Sequence, residues 1–258
     1  MNDWLDFTGK VVLVTGGGKG VGRGISQCYL AAGATVVICS RTVPDELPAQ
    51  GNNVAHFTTC NVKDVGQIED CIRFVIERFG QLDVLVNNVG GTPYKDAATA
   101  SPRFSENVIG LNLISPMHFS NAANTVMQGQ EGGGCIVNIS SVSAIRPSPG
   151  TAAYGAAKAA LLKLGESQAR AWAPKVRVNS IIVGLVRTEQ AHLHYGDEAG
   201  IAAVAATIPL GRMASPEDIG NACLYLSSPL SGSASGTSLT VHGGGEKPGF
   251  LDAANSDN

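Results

Sequence analysis

A glycine-rich turn between two apolar runs constrains the fold of this chain more than any other feature. Residues 10–15 are a short β-branched run, residues 16–22 supply five glycines, and residues 23–32 repeat apolar side chains at helical spacing. A second apolar run covers residues 34–39. A strand, a turn, a helix and a strand within about thirty residues are typical of a βαβ unit. Because glycines let backbone amides and the helix N-terminus approach a pyrophosphate, the sequence predicts a dinucleotide site.

Strands and helices continue to alternate along the rest of the chain. Further strands are predicted at residues 53–60, 82–86, 134–140, 175–183 and 236–242, and helices at 65–79, 102–128, 151–172 and 215–226. This order predicts a single α/β domain over residues 1–258, with seven mostly parallel strands and helices on both faces of the sheet. We expect residues 188–213 to be a substrate loop or lid, and residues 246–258 to be a polar tail.

Composition excludes several functions. A net charge of -3 and an aromatic content of 5% give no footprint for nucleic acid or an anionic membrane. No run has the length of a membrane span or the pattern of a targeting segment, so a cytoplasmic location is predicted. His192 and His194 lack a nearby acid cluster, and no metal site is predicted. The cysteines are interpreted as small core residues, neither disulfides nor metal ligands: 28, 39, 60, 71, 135 and 223.

Tyr154 and Lys158 begin the helix predicted at residues 151–172. A separation of four places both side chains on one helical face. A nearby ammonium favours the ionised phenol, so Lys158 is expected to lower the pKa of Tyr154 toward the range useful for proton transfer. Such pairs are usually solvated surface pairs. Here Ser140 and Ser141 end the preceding strand and a dinucleotide site is predicted, and together these features favour an acid/base role.

The residues after the second strand bear on the type of dinucleotide. Where a carboxylate would bind the ribose 2′-hydroxyl, the chain has Ser40 and Arg41. Lys19 adds a cation inside the glycine turn. Either charge alone is compatible with ordinary solvated surface, but together and without an acid they favour NADP(H) over NAD(H).

Four motifs in this order resemble those of the short-chain dehydrogenase/reductase family, over residues 7 to 245. Residues 15–22 match the pattern TGxxxGxG, and residues 87–90 resemble NNAG with valine in place of alanine. Residues 209–244 resemble the usual C-terminal third. A catalytic Asn-Ser-Tyr-Lys set is matched by Asn112, Ser141, Tyr154 and Lys158.

The resemblance implies a doubly wound Rossmann fold and a hydride-transfer reaction. Tyr154 would donate a proton to a substrate carbonyl oxygen, or remove it in reverse, and Ser141 would orient that oxygen. Lys158 would hold the nicotinamide ribose and depress the tyrosine pKa. Asn112 would distort its helix and anchor a water that leads protons to Lys158.

The resemblance also implies a set of cofactor-binding residues. They are Gly16, Gly18, Lys19, Gly20, Val21, Gly22, Ser40, Arg41, Asn61, Val62, Asn88, Val89, Gly90, Tyr154, Lys158, Gly184, Val186 and Thr188. Other positions also depart from the family pattern: Asn61 replaces an aspartate, Val183 a proline, and His242 a common aspartate. Residues 233–236 replace an aromatic-containing turn. These departures leave the reacting groups in place and bear on the subfamily and the substrate.

The predicted function is therefore interconversion of a ketone and a secondary alcohol by an NADP(H)-dependent enzyme. Ser143, Ile145, Gly91 and residues 185–193 are expected to contact the substrate; they are mostly apolar and favour a hydrophobic or acyl-type compound. A 3-oxoacyl thioester and an alicyclic or steroid-like ketone are equal contenders. The alternatives are an NAD(H)-dependent dehydrogenase of the same family and a non-catalytic, cofactor-binding regulator. Relatives are commonly dimers or tetramers, so a homo-oligomer is expected.

Overall fold

Seven parallel strands form the central sheet of the computed structural model, which describes residues 5–247 and 249. The strand order is β5-β2-β1-β6-β7-β8-β9. In sequence order, the strands are β1 (Val11–Thr15), β2 (Thr35–Ser40), β3 (Ala49–Gln50), β4 (Asn53–Val54), β5 (His56–Thr59), β6 (Val84–Asn87), β7 (Gly134–Ser141), β8 (Val176–Val183) and β9 (Ser238–Val241). Because β1 lies between β2 and β6, the order reverses there, and a crevice opens outside the carboxyl ends of β1 and β6.

Helices cover both faces of this sheet. They are α1 (Gly20–Ala31), α2 (Val65–Phe79), α3 (Pro102–Ile109), α4 (Ser115–Gly129), α5 (Ala152–Trp172), α6 (His192–Tyr195), α7 (Glu198–Ala206) and α8 (Pro216–Ser227). Residues of α1 and α8 share one buried apolar cluster, and residues of α2 and α4 share another. The predicted doubly wound, Rossmann-type sheet is confirmed.

The alternation of β1 shows how the sequence produces two layers of core. Val12 and Val14 belong to the cluster under α1 and α8, whereas Val11 and Leu13 belong to the cluster under α2 and α4. Successive side chains of a strand point to opposite faces, so a strand covered on both sides has to be apolar throughout. All five residues of β1 are buried.

Three predicted elements differ from those observed. The strand expected at residues 53–60 is divided: residues 53–54 pair antiparallel with residues 49–50, and only His56–Thr59 joins the main sheet. The helix expected at residues 102–128 is interrupted by a π-helical turn, Gly110–Ile114. The segment 188–213 contains two short helices, α6 and α7, with a small apolar cluster of their own.

The predicted tail at residues 246–258 lies outside the described residues, except for 246, 247 and 249. None of the helices in the described part of the chain combines the length and the apolar character that crossing a lipid bilayer requires.

Candidate active site

The glycine turn brings the end of β1 close to the start of α1. Gly16 and Gly20 have φ values of 65° and 53°, in the left-handed region that favours glycine. A Cβ on Gly22 would lie 2.3 Å from the Gly16 carbonyl oxygen, so no larger residue fits there. Lys19 is exposed at the N-cap of α1 and gives that helix no side-chain cap. The first amides of α1 are thus available to an anion.

A carboxylate binds one of those amides. The Gly20 amide donates to Glu189 Oε1 at 2.8 Å, and Glu189 is exposed. Its neighbour Thr188, a predicted cofactor residue, places Cγ2 3.7 Å from where a Cβ on Gly20 would be. Sequence reasoning missed Glu189 because no motif marks an acid so far along the chain from the glycine turn.

Asn88 supports the turn from the neighbouring strand end. Its side-chain nitrogen donates to the Thr15 carbonyl at 2.9 Å, and the backbone amides of Asn88 and Val89 donate to Thr15 Oγ1 at 3.0 and 3.1 Å. Sequence analysis assigned Asn88 to cofactor binding. In the structure its side chain holds the backbone of β1 against that of β6, and Thr15, which was not assigned to the site, accepts three hydrogen bonds, two at its hydroxyl and one at its carbonyl.

Other predicted cofactor residues are packed against protein. Val21 and Val186 pack on the apolar cluster under α1 and α8. A Cβ on Gly18 would lie 3.1 Å from Pro44 Cγ, and one on Gly184 would lie 2.6 Å from His242 Cβ. The close approach of the Cα and Cβ atoms of residue 242 therefore requires glycine at position 184, and the imidazole ring takes no part in this.

A cleft of about 570 Å³ opens beyond the carboxyl ends of β2, β5 and β6. Arg41 is exposed at its rim, and Ser40 Oγ donates to the Thr42 carbonyl at 2.6 Å. Six predicted cofactor residues line the cleft: Ser40, Arg41, Asn61, Val62, Val89 and Gly90. Eight lining residues were not in the predicted cofactor set: Cys60, Lys63, Gly91, Pro93, Phe104, Asn107, Val108 and Leu111. Four of these eight lie on α3 and the π-helical turn: Phe104, Asn107, Val108 and Leu111. The sequence pattern did not reveal that this part of the chain packs beside the cleft.

Asn112 lies in the π-helical turn and is fully buried. Its Oδ1 accepts from the Gly91 amide at 2.9 Å, and its Nδ2 donates to the Gly91 and Val108 carbonyls, each at 2.9 Å. Ser115 Oγ donates to the Gly110 carbonyl at 2.9 Å. These side chains take backbone carbonyls of the preceding turn as partners, as expected for a wider turn.

Lys158 is buried beside this turn. Its ammonium donates to the Ile139 carbonyl at 2.8 Å and lies 5.7 Å from the centre of the Tyr154 ring. A Cβ on Gly90 would lie 2.9 Å from Lys158 Nζ and 2.7 Å from Asn112 Oδ1, so both side chains meet at the loop after β6. Burial lowers the pKa of Lys158 to about 8 because it disfavours the charged ammonium.

Tyr154 and Ser141 interact at the carboxyl end of β7. Burial raises the pKa of Tyr154, and its hydrogen bond with the Ser141 side chain partly opposes this. Ser141 Oγ also accepts from the Ser143 amide at 3.2 Å. The expected lowering of the Tyr154 pKa by Lys158 is wrong for this structure, since desolvation of the phenol is the largest effect. The four predicted catalytic residues nevertheless come from three separate elements and lie at one edge of the sheet.

Exposed apolar side chains occur in two segments expected to contact the substrate, the loop after β7 and the segment 185–193. Ile145 is 57% exposed and Leu193 is 68% exposed. Arg146 forms an ion pair with Glu246 at 2.8 Å, which joins the loop after β7 to the chain beyond β9. Arg187, which precedes the segment 188–213, forms an ion pair at 2.8 Å with Glu198 inside it. His192 and His194 are exposed in this segment.

All six cysteines are buried and carry free thiols, as predicted for core residues. Three of them, however, lie together at positions 39, 60 and 71.

Comparison with known proteins gives matches over almost the whole chain. A protein-family model described as enoyl-(acyl carrier protein) reductase matches residues 16–246. The chain is 34% identical to a 3α-hydroxysteroid dehydrogenase of Mediterraneibacter gnavus, over 91% of this chain and 96% of that protein. It is 31% identical to the 3-oxoacyl-[acyl-carrier-protein] reductase of Escherichia coli, over 93% and 98%. The solved structure of ligand-free aldohexose dehydrogenase from Thermoplasma acidophilum superposes with a TM-score of 0.86 at 28% identity, covering 98% of each chain.

Proposed function

The chain belongs to the short-chain dehydrogenase/reductase family, and from that premise we propose that it is an NADP(H)-dependent oxidoreductase that interconverts a ketone and a secondary alcohol. The observation that carries this proposal is the meeting of Tyr154, Ser141, Lys158 and Asn112 beside the glycine turn. A proton donor, a hydroxyl that interacts with it and a buried ammonium are the groups such a reaction requires. They lie at the same edge of the sheet as the glycine turn, where we propose that the nucleotide binds.

The residues around the glycine turn fit a dinucleotide. The Gly20 amide already binds a carboxylate, so it is oriented to receive an anionic group such as a pyrophosphate. Gly22 allows backbone to approach closely, and the 570 Å³ cleft is large enough for an adenosine. Gly16, Gly20 and Gly22 would hold the pyrophosphate side, and Asn61 and Val62 the adenosine side.

The charges near the cleft support the proposed preference for NADP(H) over NAD(H). Arg41 lines it and Lys19 stands at the start of α1, both exposed. A guanidinium matches the geometry of a phosphate, and no carboxylate lines the cleft among the described residues to repel one. An NAD(H)-dependent enzyme of the same family is the second candidate, because Ser40 beside Arg41 also offers a neutral hydroxyl to a ribose.

The proposed mechanism assigns the proton to Tyr154. The nicotinamide, when bound, supplies or accepts the hydride at the substrate carbon. In reduction, the Tyr154 hydroxyl gives its proton to the carbonyl oxygen, and in oxidation the phenolate removes it. Since burial raises the pKa of Tyr154, the phenol is protonated at neutral pH and ready to donate. Ser141 donates a hydrogen bond to the same oxygen and fixes its position.

Lys158 and Asn112 support the proton donor. With a pKa lowered to about 8, Lys158 gains and loses a proton more readily near neutral pH than an ordinary lysine does. Asn112 fixes the loop at Gly91 and Gly90, which lies against the Lys158 ammonium. We propose that Lys158 passes a proton to Tyr154 and binds the nicotinamide ribose, and that the turn at Asn112 holds the water that resupplies it.

The proposed substrate is apolar or acyl-type. Ile145 and Leu193 expose apolar surface in the two segments expected to contact it. Two relatives named above act, by their names, on hydroxysteroids and on 3-oxoacyl groups carried by a protein, and both compounds are ketones or alcohols on apolar frames. We keep a 3-oxoacyl thioester and an alicyclic ketone as equal candidates.

We also propose a cytoplasmic location and a homo-oligomer. Six free thiols are compatible with the reducing cytoplasm. A dimer or tetramer is expected from relatives and is measurable by light scattering. A non-catalytic regulator is the remaining alternative; the four catalytic residues argue against it.

The test is oxidation of NADPH and NADH by the purified protein with a panel of substrates. The panel holds alicyclic ketones, 3-oxoacyl thioesters and, as a comparison, 2-enoyl thioesters. We expect turnover with NADPH and a ketone. Turnover with NADH alone would overturn the cofactor assignment, and reduction of the enoyl thioester alone would overturn the proposed reaction.

A further inference from the structure

Three cysteines far apart in the sequence converge behind the cleft. Cys39 lies near the end of β2, Cys60 directly follows β5, and Cys71 lies in α2. Their sulfur atoms all lie within 4.8 Å of one another, and each residue is 0% exposed. Within residues 5–247 and 249, this is the one group of three such side chains close enough to share a metal ion. The proposed hydride transfer uses none of them.

The spacing of the sulfurs suits a metal ion. With metal–sulfur bonds of about 2.3 Å, three thiolates around one ion stand about 4.0 Å apart, so the observed sulfurs need to approach by less than about 1 Å. Thiolates select soft cations, and the cluster contains no carboxylate or imidazole that would favour a hard one. The Gln67 carbonyl oxygen lies 3.4 Å from Cys60 Sγ and offers a fourth ligand nearby.

The cluster is continuous with the cleft. Cys60 is one of the cleft-lining residues and its side chain is 0% exposed, so the sulfurs lie directly behind the wall of the cleft. Cys39 precedes Ser40 and Arg41, and the Cys60 amide donates to the Ser40 carbonyl at 2.9 Å. Arg41 and Lys63 line the same cleft and partly balance the negative charge of a three-thiolate complex. Cys39 and Cys60 are therefore joined directly to the backbone that borders the proposed adenosine site, through which movement at the sulfurs would be transmitted.

We propose that Cys39, Cys60 and Cys71 form a three-thiolate site for a soft divalent d¹⁰ cation of the Zn²⁺ and Cd²⁺ class, and that its occupancy weakens nucleotide binding in the adjoining cleft. The thiols lose three protons as three metal–sulfur bonds form, and no electrons are transferred. Binding of the cation stands on the geometry alone, whereas its effect on the nucleotide rests on the proposed function.

The first experiment titrates the reduced protein with Cd²⁺ and follows the thiolate-to-cadmium absorption in the ultraviolet. One equivalent should saturate the signal. Cys71→Ala should weaken binding at least tenfold, whereas Cys223→Ala, which removes a buried helical thiol from the opposite layer, should not. Cys60→Ala, which removes the thiol of the cleft-lining cysteine, is a second variant that should also weaken binding. Circular dichroism checks that each variant is folded. No saturable signal, or equal affinity in Cys71→Ala and the wild type, would overturn the site.

The second experiment measures the Kd for NADPH with and without Cd²⁺. We expect the Kd to rise at least fivefold in the wild type and to stay unchanged in Cys71→Ala. An unchanged Kd in the cadmium-loaded wild type would overturn the coupling. Failure of the metal-free protein to bind NADPH would instead count against the proposed function, and the cadmium titration would still decide the site.

Discussion

At the scale of single residues, the buried lysine has the most measurable consequence. The Lys158 ammonium is buried and donates one hydrogen bond to the backbone, at the Ile139 carbonyl. Its pKa falls to about 8, against about 10.4 for an ordinary lysine. Between these pH values the folded protein holds fewer protons than the unfolded chain, so the free energy of unfolding rises with pH.

Lys158→Met tests this linkage. Between pH 7.5 and 9.5, we expect the wild type to gain about 1–2 kcal/mol in free energy of unfolding relative to the variant, as measured by urea denaturation. Lys163→Met, which removes an exposed lysine from the same helix, serves as the control and should follow the wild type. If the free energies of unfolding of wild type and Lys158→Met differ by the same amount at pH 7.5 and at pH 9.5, Lys158 does not titrate in this range.

Arg41 carries the second prediction at this scale. A charge-assisted hydrogen bond to a 2′-phosphate contributes about 1.5–3 kcal/mol, so Arg41→Ala should weaken NADPH binding about 10- to 100-fold and leave NADH binding unchanged. Calorimetric titration of both nucleotides measures the effect, with Arg170→Ala on the exposed side of α5 as the control. Equal losses of affinity for NADPH and for NADH would mean that Arg41 does not contact the 2′-phosphate.

Residue identities were easier to predict than residue environments. The four-residue spacing of Tyr154 and Lys158 gave their shared helical face, and the hydroxyl of Ser141 was placed at a strand end by the pattern before it. The pKa of Tyr154 was predicted in the wrong direction, because the desolvation that raises it depends on neighbours from other elements.

At the scale of elements, the segment after β8 approaches the site proposed for the pyrophosphate. Glu189 there binds the Gly20 amide at 2.8 Å. A pyrophosphate and this carboxylate would compete for the same positive end of α1. Binding of the nucleotide should therefore displace Glu189 from α1.

Glu189→Ala should lower the Kd for NADPH about two- to fivefold, the effect of one exposed carboxylate at a helix N-terminus. The measurement is fluorescence titration with NADPH. Glu198→Ala, which removes a carboxylate from the same segment, should leave the Kd unchanged. If Glu189→Ala binds NADPH more weakly, the carboxylate assists the nucleotide, contrary to this account.

Helices and strands whose ends are marked by residues close in sequence were predicted best. Residues 65–79 form α2 as expected, because Asp64 caps the helix start and Gly80, with φ of 79°, ends it. The strand expected at 53–60 is divided, since residues 53–54 pair locally with 49–50 instead of joining β2. The family resemblance implied a helix distortion at Asn112, but its form, the π-helical turn at Gly110–Ile114, was not predicted. The side-chain bonds of Asn112 and Ser115 to backbone carbonyls carry no periodicity signal.

At the scale of the whole molecule, the parallel sheet assembles the site. Parallel strands end at a common edge, so the glycine turn after β1, the loop after β6 and the hydroxyl of Ser141 at the end of β7 become neighbours. That general arrangement was predictable from alternating strands and helices. The Glu189 contact and the three-cysteine cluster were not, because each joins segments whose closeness depends on packing of the complete fold. The single domain over residues 1–258 stays a prediction.

If Tyr154 moves the proton in an NADP(H)-dependent reaction, Tyr154→Phe should lose turnover and keep nucleotide binding. The kcat with NADPH and the best ketone of the panel should fall about 10²- to 10⁴-fold, while the Kd for NADPH changes less than about twofold. Tyr225→Phe, which alters a partly exposed tyrosine on α8, should behave as the wild type. A Tyr154→Phe variant that retains wild-type turnover would contradict the account.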